Sequence, residues 1–371
     1  MKFTIKKNTI LEALKYVNNI IDSNNINPIL SAVNLICENK QLILIATNGE
    51  NSYKQTIMDI KSEKDGNILI KARILYNVIS KLDNNEILLN QLDDAILQIK
   101  TSNFSCEINL IEKFSFPIIN FDHSNWNKFI LKQKDISMIN SKITPFVSNI
   151  FENSYNILNG VFFNPINEKE IETIATDGFK LNYYSFNYEG KVNSFTIPVQ
   201  VIKICDEILQ TKKSDELTFY TNDRNIVADF KDTIILFSLF SGKYPNVTKS
   251  LLEEQKHNFT VKTSDLANAL ARGSIFVTTE KKPIVTLKIN NDEFEIKFNN
   301  MEIGNSYETI KIVNQNIKDF SFKLNQKFLS DLISVVSEQE ITFNFNGENK
   351  PIILTSSNKN LVSLILPIKS L

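Results

Sequence analysis

The chain has 371 residues and a formal net charge of −1, with 42% hydrophobic and 22% charged residues. This length allows two or three domains, and the composition excludes an intrinsically disordered chain. Because the net charge is close to zero, the chain has no overall excess of basic residues. Any contact with nucleic acid would therefore depend on where the basic residues are placed. The longest apolar stretch, residues 234–240, is too short to cross a bilayer, and the segment from Met1 to Val17 lacks the apolar centre of a secretion signal. We therefore expect a cytoplasmic protein without a membrane partner.

In chain order, the first predicted element is a short alternating strand that leads into apolar residues at helical spacing. The same pattern occurs three times at nearly equal intervals, opening at Phe3, Phe129 and Phe259. Polar residues stand where each helix is expected to begin. These start signals are Asn8 and Thr9, then Asp135, then Ser264 and Asp265.

A second triplet of strands, at 68–71, 195–198 and 322–325, also precedes helical patterns. Two triplets in register predict one α+β domain written three times, each copy with two helices packed on antiparallel sheets. The expected domains are 1–122, 128–248 and 257–371. The predicted helices are 8–21, 71–82, 133–144, 199–213, 263–273 and 325–336.

The residues needed for catalysis or metal binding are sparse. Both histidines, His123 and His257, fall in predicted linkers, and the nine glycines form no phosphate-binding loop. Cys37, Cys106 and Cys205 lie far apart without metal-ligand spacing, as expected of reduced thiols. We expect no catalytic residue, no metal and no cofactor. A β-rich hydrolase with paired carboxylates stays open as an alternative, because sequence spacing does not give the separation of two acids.

Residues 174–181 carry the sharpest local pattern. An Asp-Gly pair at Asp177 and Gly178 predicts a tight hairpin turn, since glycine supplies a positive φ angle. Residues 45–49 repeat this pattern in the first domain. The turn alone does not explain why Phe179 and Leu181 flank Lys180.

Over its whole length the chain resembles the bacterial DNA polymerase III beta subunits, a family of replicative sliding clamps. The resemblance rests on motifs that occur in order across all three domains. They are residues 1–4 (Met-Lys-Phe-Thr), 28–30 (Pro-Ile-Leu), 116–117 (Phe-Pro), 158–160 (Leu-Asn-Gly), 175–178 (Ala-Thr-Asp-Gly) with Leu181, 242–245 (Gly-Lys-Tyr-Pro) and 366–369 (Leu-Pro-Ile-Lys). The chain departs from the family pattern at Phe179 and Lys180, where a His-Arg pair is usual.

The resemblance implies a DNA-clamp fold in which two chains join head to tail as a homodimeric ring. Such a ring encircles double-stranded DNA without regard to sequence and tethers the replicative polymerase for processivity, without catalysis of its own. The implied partners are the DNA polymerase III alpha subunit, the clamp loader, and other polymerases and repair proteins that dock through short peptide motifs. A clamp-like paralogue with a repair or non-polymerase role is the alternative within the family.

The resemblance also implies three sets of site residues. The partner-peptide groove would be formed by Leu158, Thr176, Gly178, Phe179, Lys180, Leu181, Pro245, Leu366, Pro367 and Ile368. The dimer interface would contain Cys106 and Ile108, facing Ile275 and Phe276 of the second chain. Because the six predicted helices carry a surplus of about five positive charges, basic residues on them are candidates to face DNA. They are Arg73, Lys81, Lys134, Lys142 and Lys203.

Overall fold

The computed structural model describes residues 1–21, 25–83, 85–112, 116–148, 157–247, 251, 253–277, 283–290, 293–314, 317 and 320–368. Six α-helices have both ends within these ranges. They are α1 (Lys7–Ile20), α2 (Ala72–Ser80), α3 (Gln133–Met138), α4 (Val199–Lys212), α5 (Thr263–Ser274) and α6 (Gln326–Ser334). Each overlaps one of the six predicted helices.

Strands account for most of the remaining regular structure. The first half of the chain contains β1 (Lys2–Lys6), β2 (Ala32–Glu38), β3 (Gln41–Thr47), β4 (Ser52–Ile57), β5 (Ile60–Lys64), β6 (Gly66–Lys71), β7 (Glu86–Gln91), β8 (Ile96–Lys100), β9 (Ser105–Asn109), β10 (Asn127–Lys132), β11 (Gly160–Pro165), β12 (Glu170–Thr176) and β13 (Lys180–Asn187). The second half contains β14 (Glu189–Gly190), β15 (Phe195–Pro198), β16 (Glu216–Thr221), β17 (Asn225–Asp229), β18 (Thr233–Ser238), β19 (His257–Lys262), β20 (Ile284–Asn290), β21 (Glu293–Asn300), β22 (Gly304–Lys311), β23 (Val313–Asn314), β24 (Phe320–Asn325), β25 (Glu340–Phe345), β26 (Ile352–Thr355) and β27 (Leu361–Ile365).

The chain divides into two compact units. Unit 1 comprises Met1–Gln133, Gly190–Val192 and Ile204–Leu239, and unit 2 comprises Lys134–Glu189, Asn193–Lys203 and Phe240–Leu371. The central third of the sequence therefore contributes to both units, because its strands belong to two different sheets.

Unit 1 contains a five-stranded sheet, β5-β1-β7-β8-β9, and a nine-stranded sheet, β14-β10-β16-β17-β18-β4-β3-β2-β6. Unit 2 contains a nine-stranded sheet, β15-β11-β12-β13-β27-β26-β25-β19-β23, and a four-stranded sheet, β22-β21-β20-β24. Each nine-stranded sheet joins four strands of one repeat to five strands of the next. The joints are the antiparallel pairs β4–β18 and β13–β27. The predicted α+β class, with helices packed on antiparallel sheets, is confirmed.

The predicted start signals lie at the helix beginnings but do not cap them. Helices α1 and α5 follow Lys6 and Lys262, and neither of these residues caps through its side chain. Instead, a backbone carbonyl just before a later strand of the same repeat accepts a hydrogen bond from the first helical N–H. These bonds join Lys7 N to Asn85 O (2.7 Å), Gln133 N to Asp215 O (2.8 Å) and Thr263 N to Gln339 O (2.9 Å). The same bond in all three repeats is structural evidence for the repeat.

Two further expectations need correction. The predicted helix 133–144 is regular only to Met138, after which the chain forms a π turn (Ile139–Ile143) and a 3₁₀ turn (Thr144–Phe146). The widened turn leaves the Lys142 carbonyl free to accept a hydrogen bond from Asn182 Nδ2 at 2.7 Å. His257 is the first residue of β19 and not a linker residue, since it pairs with Phe345 across the sheet.

Buried apolar side chains lie between the helices and the sheets in each unit. In unit 1, α1 packs on α2, β3 and β4, and Tyr16 of α1 donates a hydrogen bond to Thr211 Oγ1 at 3.2 Å. In unit 2, α5 packs on α6, and Phe259, Phe294 and Phe343 are fully buried. Among the described residues, no helix is both long and apolar enough to cross a membrane.

Candidate functional site

The joint between β13 and β27 in unit 2 brings together residues from distant parts of the chain. Leu181 pairs with Leu364 across this joint. Both side chains belong to a buried cluster that also contains Ile174, Tyr244 and Ile353. Leu158 is half-buried and packs against this cluster. Tyr244 is held in place by stacking on Phe162, with ring centroids 4.7 Å apart.

One end of this cluster is closed by the predicted hairpin turn between β12 and β13. Gly178 has a φ of +90°, so the expected positive angle is confirmed. Asp177 Oδ1 accepts hydrogen bonds from the N–H groups of Phe179 and Lys180, each at 2.9 Å. The buried Thr176 hydroxyl donates to the Lys180 carbonyl at 2.8 Å and accepts from the Gly178 N–H at 3.0 Å. All four bonds lie within residues 176–180.

The C-terminal segment after β27 continues beside this turn. The Leu366 N–H donates to the Phe179 carbonyl at 2.9 Å, and the Ile368 N–H donates to the Lys323 carbonyl at 2.7 Å. Three apolar side chains are left in solvent here: Phe179 is 57% exposed, Leu366 38% and Ile368 36%. Together with the exposed Gly178 and the half-buried Leu158 and Pro367 they form a surface that we call the candidate groove. Exposed apolar side chains collected at one place are typical of a binding surface.

Lys180 is the exception among the predicted groove residues. Side chains alternate along β13, so Lys180 points to the face opposite Leu181. It is only 6% exposed, and its ammonium group forms an ion pair with Asp331 of α6. The Nζ atom also lies 5.0 Å from the ring centroid of Phe146 and 5.4 Å from that of Phe328.

The structure thus brings the ten predicted groove residues to one end of the β13–β27 joint or to the segments beside it, with the Lys180 side chain directed to the face opposite Leu181. Pro245 is exposed next to the buried Tyr244, and Thr176 is buried beneath the turn. Two residues with a clear geometric role were not predicted, Phe328 and Asp331. They belong to the last repeat, far from the turn in sequence, and no local motif marks them.

The four predicted interface residues lie at two sheet edges or beside them. Cys106 and Ile108 are half-buried on β9, the last strand of the five-stranded sheet. Ile275 is 64% exposed immediately after α5, and Phe276 beside it is half-buried. The ring of Phe276 lies near Gly304, the first residue of β22, which is the last strand of the four-stranded sheet.

The five basic residues predicted to face DNA are all on helices or directly after them. Arg73, Lys81, Lys134 and Lys203 are exposed. Lys142 is half-buried in the π turn, and its ammonium group donates to Ser337 Oγ at 2.8 Å. Long basic side chains with exposed ends can reach phosphate groups without fixed geometry.

The described residues contain no cluster of three or more histidine, cysteine or acidic side chains able to hold a metal ion. His123 Nδ1 lies 2.8 Å from the Phe121 carbonyl, and its ring packs on Tyr220 with centroids 4.3 Å apart. The thiols of Cys37 and Cys205 are buried, and burial raises the pKa of both. A raised pKa keeps a thiol protonated and unreactive.

Similarity to known proteins extends over the whole chain. Models of the N-terminal, central and C-terminal domains of the DNA polymerase III beta subunit match residues 1–122, 133–246 and 249–369. The beta sliding clamp of Mycoplasma capricolum is 26% identical over 376 residues, covering 99% of both chains. The beta sliding clamp of Mycoplasma genitalium is 27% identical over 380 residues, covering 99% of this chain and all of the relative.

Solved structures agree in fold. The beta subunit from DNA polymerase of Streptococcus pyogenes has a TM-score of 0.91 at 20% identity, with full coverage of both chains. The DNA polymerase sliding clamp from Bacillus subtilis has a TM-score of 0.89 at 19% identity, again with full coverage. The three matched domain models leave only short segments of the chain uncovered, so this chain belongs to the DNA polymerase III beta subunit family.

Proposed function

We propose that this chain is a sliding clamp that closes as a homodimeric ring around double-stranded DNA and tethers a replicative polymerase in the cytoplasm. It acts without catalysis, as a processivity subunit. Its three domains, 1–122, 128–248 and 257–371, would each contribute two helices to the inner face of the ring. The observation that supports the proposal most strongly is the size of the sheets: two have nine strands, whereas the other two have five and four.

Both nine-stranded sheets combine a four-stranded part with a five-stranded part. In unit 1 the parts meet at β4 and β18, and in unit 2 they meet at β13 and β27. The two remaining sheets have five strands and four strands. By position in the sheet order, β9 corresponds to β18 and β27, whereas β22 corresponds to β4 and β13. Pairing β9 of one chain with β22 of a second chain would therefore build a third nine-stranded sheet.

The side chains near these two edges fit such a joint. A free strand edge is prone to uncontrolled association, so a long edge without protection suggests a natural partner. Exposed apolar residues occur at both edges, with Phe104 next to β9 and Tyr307 within β22. Ile275 adds a further exposed apolar side chain beside β22. Because the contact joins two different surfaces, each chain offers one of each kind, and head-to-tail contacts of this type form a ring when the rotation between chains closes. From the resemblance to the family we propose that two chains complete the ring.

The candidate groove would serve as the docking site for partners. An extended peptide gains affinity from main-chain hydrogen bonds and specificity from pockets for alternate side chains. Phe179, Leu366 and Ile368 are exposed apolar side chains, and Leu158 packs on the buried cluster that contains Leu181. Apolar residues of a partner would be covered on this surface. Short segments of the polymerase alpha subunit, the clamp loader and repair proteins are the expected ligands.

The basic helix residues would face the DNA. Their attraction to phosphate groups is independent of sequence and weak enough at cellular salt for the ring to slide. Persistence on DNA would then come from the closed ring, and a polymerase held by the ring would stay at high local concentration near the primer end.

A primer-extension assay tests this function. With a clamp loader, the polymerase and a singly primed circular template, we expect the chain to lengthen the product of one binding event by roughly two orders of magnitude, the scale of avidity gains from linkage. Omission of the loader serves as the control and should remove the gain. Unchanged product length with an intact dimer would contradict the polymerase role and favour the paralogue with a repair or non-polymerase role.

A further inference from the structure

The turn at the candidate groove has a counterpart in unit 1 that makes the same hydrogen bonds. Between β3 and β4, Asn48 Oδ1 accepts from the N–H groups of Glu50 and Asn51 at 3.0 and 2.7 Å. The Thr47 hydroxyl donates to the Asn51 carbonyl at 2.8 Å and accepts from the Gly49 N–H at 3.1 Å. Gly49 also has a positive φ, of +98°. The backbone of the turn is therefore formed equally well with quite different side chains.

The two turns differ in what their third and fourth residues contact. Glu50 and Asn51 of the first turn are replaced in the second by Phe179 and Lys180, which both contact α6. The Phe179 ring stacks on Phe328 with centroids 5.9 Å apart and an angle of 22° between the planes. The Lys180 ammonium group pairs with Asp331, one helical turn further along α6.

These contacts with α6 are not needed to fold the turn, since the unit 1 turn forms without them. The position in α4 that corresponds to Asp331, counted from the start of the helix, is Ile204, a buried apolar residue that offers no charge to pair. An ionic link between turn and helix is thus a feature of the candidate groove and not of the repeat. Its effect is to fix the direction of Phe179, because residues 179 and 180 are adjacent and both are held by the same helix.

We propose that Asp331 and Phe328 are positioning residues of the groove, which hold Lys180 and Phe179 so that Phe179 forms an apolar wall for a partner peptide. This inference rests on the proposed docking function of the groove. Phe179 favours one chemical class of peptide residue. An aromatic side chain stacks on its ring, whereas a small side chain leaves the ring exposed to solvent. Asp331 itself does not touch the peptide.

Loss of the Asp331 charge is expected to displace Phe179 from its position in the groove. Lys180 would be left as a buried cation without an ionic partner, which is unfavourable, so its ammonium group would move into solvent. Residue 179 would be displaced with it, and the stacking on Phe328 would be lost. Glutamate at the same position keeps the charge, and the acid is 47% exposed, so the longer side chain has room to reach Lys180.

The test compares two fluorescent peptides on the full-length protein, one with an adjacent Leu-Phe pair and one with Leu-Ala in its place. We expect wild type to prefer the Leu-Phe peptide roughly tenfold, the scale of one well-packed aromatic contact. Asp331→Asn should reduce this preference to about twofold or less, and Asp331→Glu should restore most of it. Asp265→Asn on the exposed face of α5 is the matched control and should leave the preference unchanged.

The ratio of the two affinities is informative because partial unfolding lowers binding of both peptides equally and leaves their ratio unchanged. An unchanged preference in Asp331→Asn would overturn the positioning role. So would a loss that Asp331→Glu fails to restore while its melting temperature matches wild type. Failure of wild type to bind either peptide would instead refute the groove itself, and this inference with it.

Discussion

Replacing Ile275 and Phe276 together by aspartate is expected to convert the proposed dimer into monomers of 42.5 kDa. Ile275 is among the most exposed apolar side chains of unit 2, and it follows α5 beside the free edge of β22. In the proposed ring it would be covered by β9 of the second chain. Burying an unpaired carboxylate in an apolar contact costs several kcal/mol, so two of them should weaken the dimer by at least about 1,000-fold.

Sedimentation velocity at micromolar concentration measures this change directly. Because Phe276 is half-buried, its replacement could disturb folding, so the single variant Ile275→Asp is measured as well. Thermal melting should show that both variants are folded. Ile166→Asp, at an exposed apolar residue in the turn after β11, is the matched control and should remain dimeric. A folded double variant that still sedimented as a dimer would show that the interface lies elsewhere.

Deletion of residues 366–371 should abolish binding of partner peptides and leave the ring intact. The deletion begins after β27, so the β13–β27 joint keeps its hydrogen bonds. It removes the apolar side chains of Leu366 and Ile368 and the hydrogen bond from Leu366 to Phe179. Loss of two covered apolar side chains is worth roughly 3 kcal/mol or more, which is over 100-fold in affinity.

Fluorescence anisotropy with a labelled Leu-Phe peptide gives the affinity, and sedimentation velocity gives the state of the ring. A pair of point variants separates the groove from general surface effects, since Leu92 and Leu366 are similarly exposed leucines in different units. Leu366→Ser should weaken binding about tenfold, the scale of one apolar side chain, whereas Leu92→Ser should have no effect. Equal binding by the truncated protein and wild type would exclude the C-terminal segment from the site.

The repeat allowed much of the fold to be predicted, because strand and helix periodicities recur at matching positions. An α-helix overlaps each of the six predicted helical segments, although the third ends at Met138, and the turn at Gly178 has the expected backbone. The helix beginnings were harder to interpret. Polar residues such as Asn8 and Ser264 resembled caps, but the first helical N–H bonds a carbonyl just before a later strand, far away in sequence. Such long-range backbone hydrogen bonds produce no recognisable pattern in the local sequence.

Only part of the candidate site could be predicted, because some of its contacts join residues that are far apart in sequence. Its buried cluster and its turn coincide with motifs of the family, so Leu158, Leu181 and Gly178 could be named in advance. The ionic partner of Lys180 could not, because it is an acid in the last repeat, on a helix that no local pattern connects with the turn. Nor could the sequence show that the sheets divide as four and five strands, since sheet order is a property of the folded chain.

The measurement that tests the ring most directly is retention on DNA before and after the DNA is cut. The protein is loaded by a clamp loader onto nicked circular DNA, separated from free protein by gel filtration, and the circle is then opened with a restriction enzyme. The proposed clamp stays on the closed circle and leaves the linear molecule over its ends, so its comigration with DNA should fall within minutes of cutting. Equal retention on circular and linear DNA would contradict a topological link and refute the sliding-clamp function.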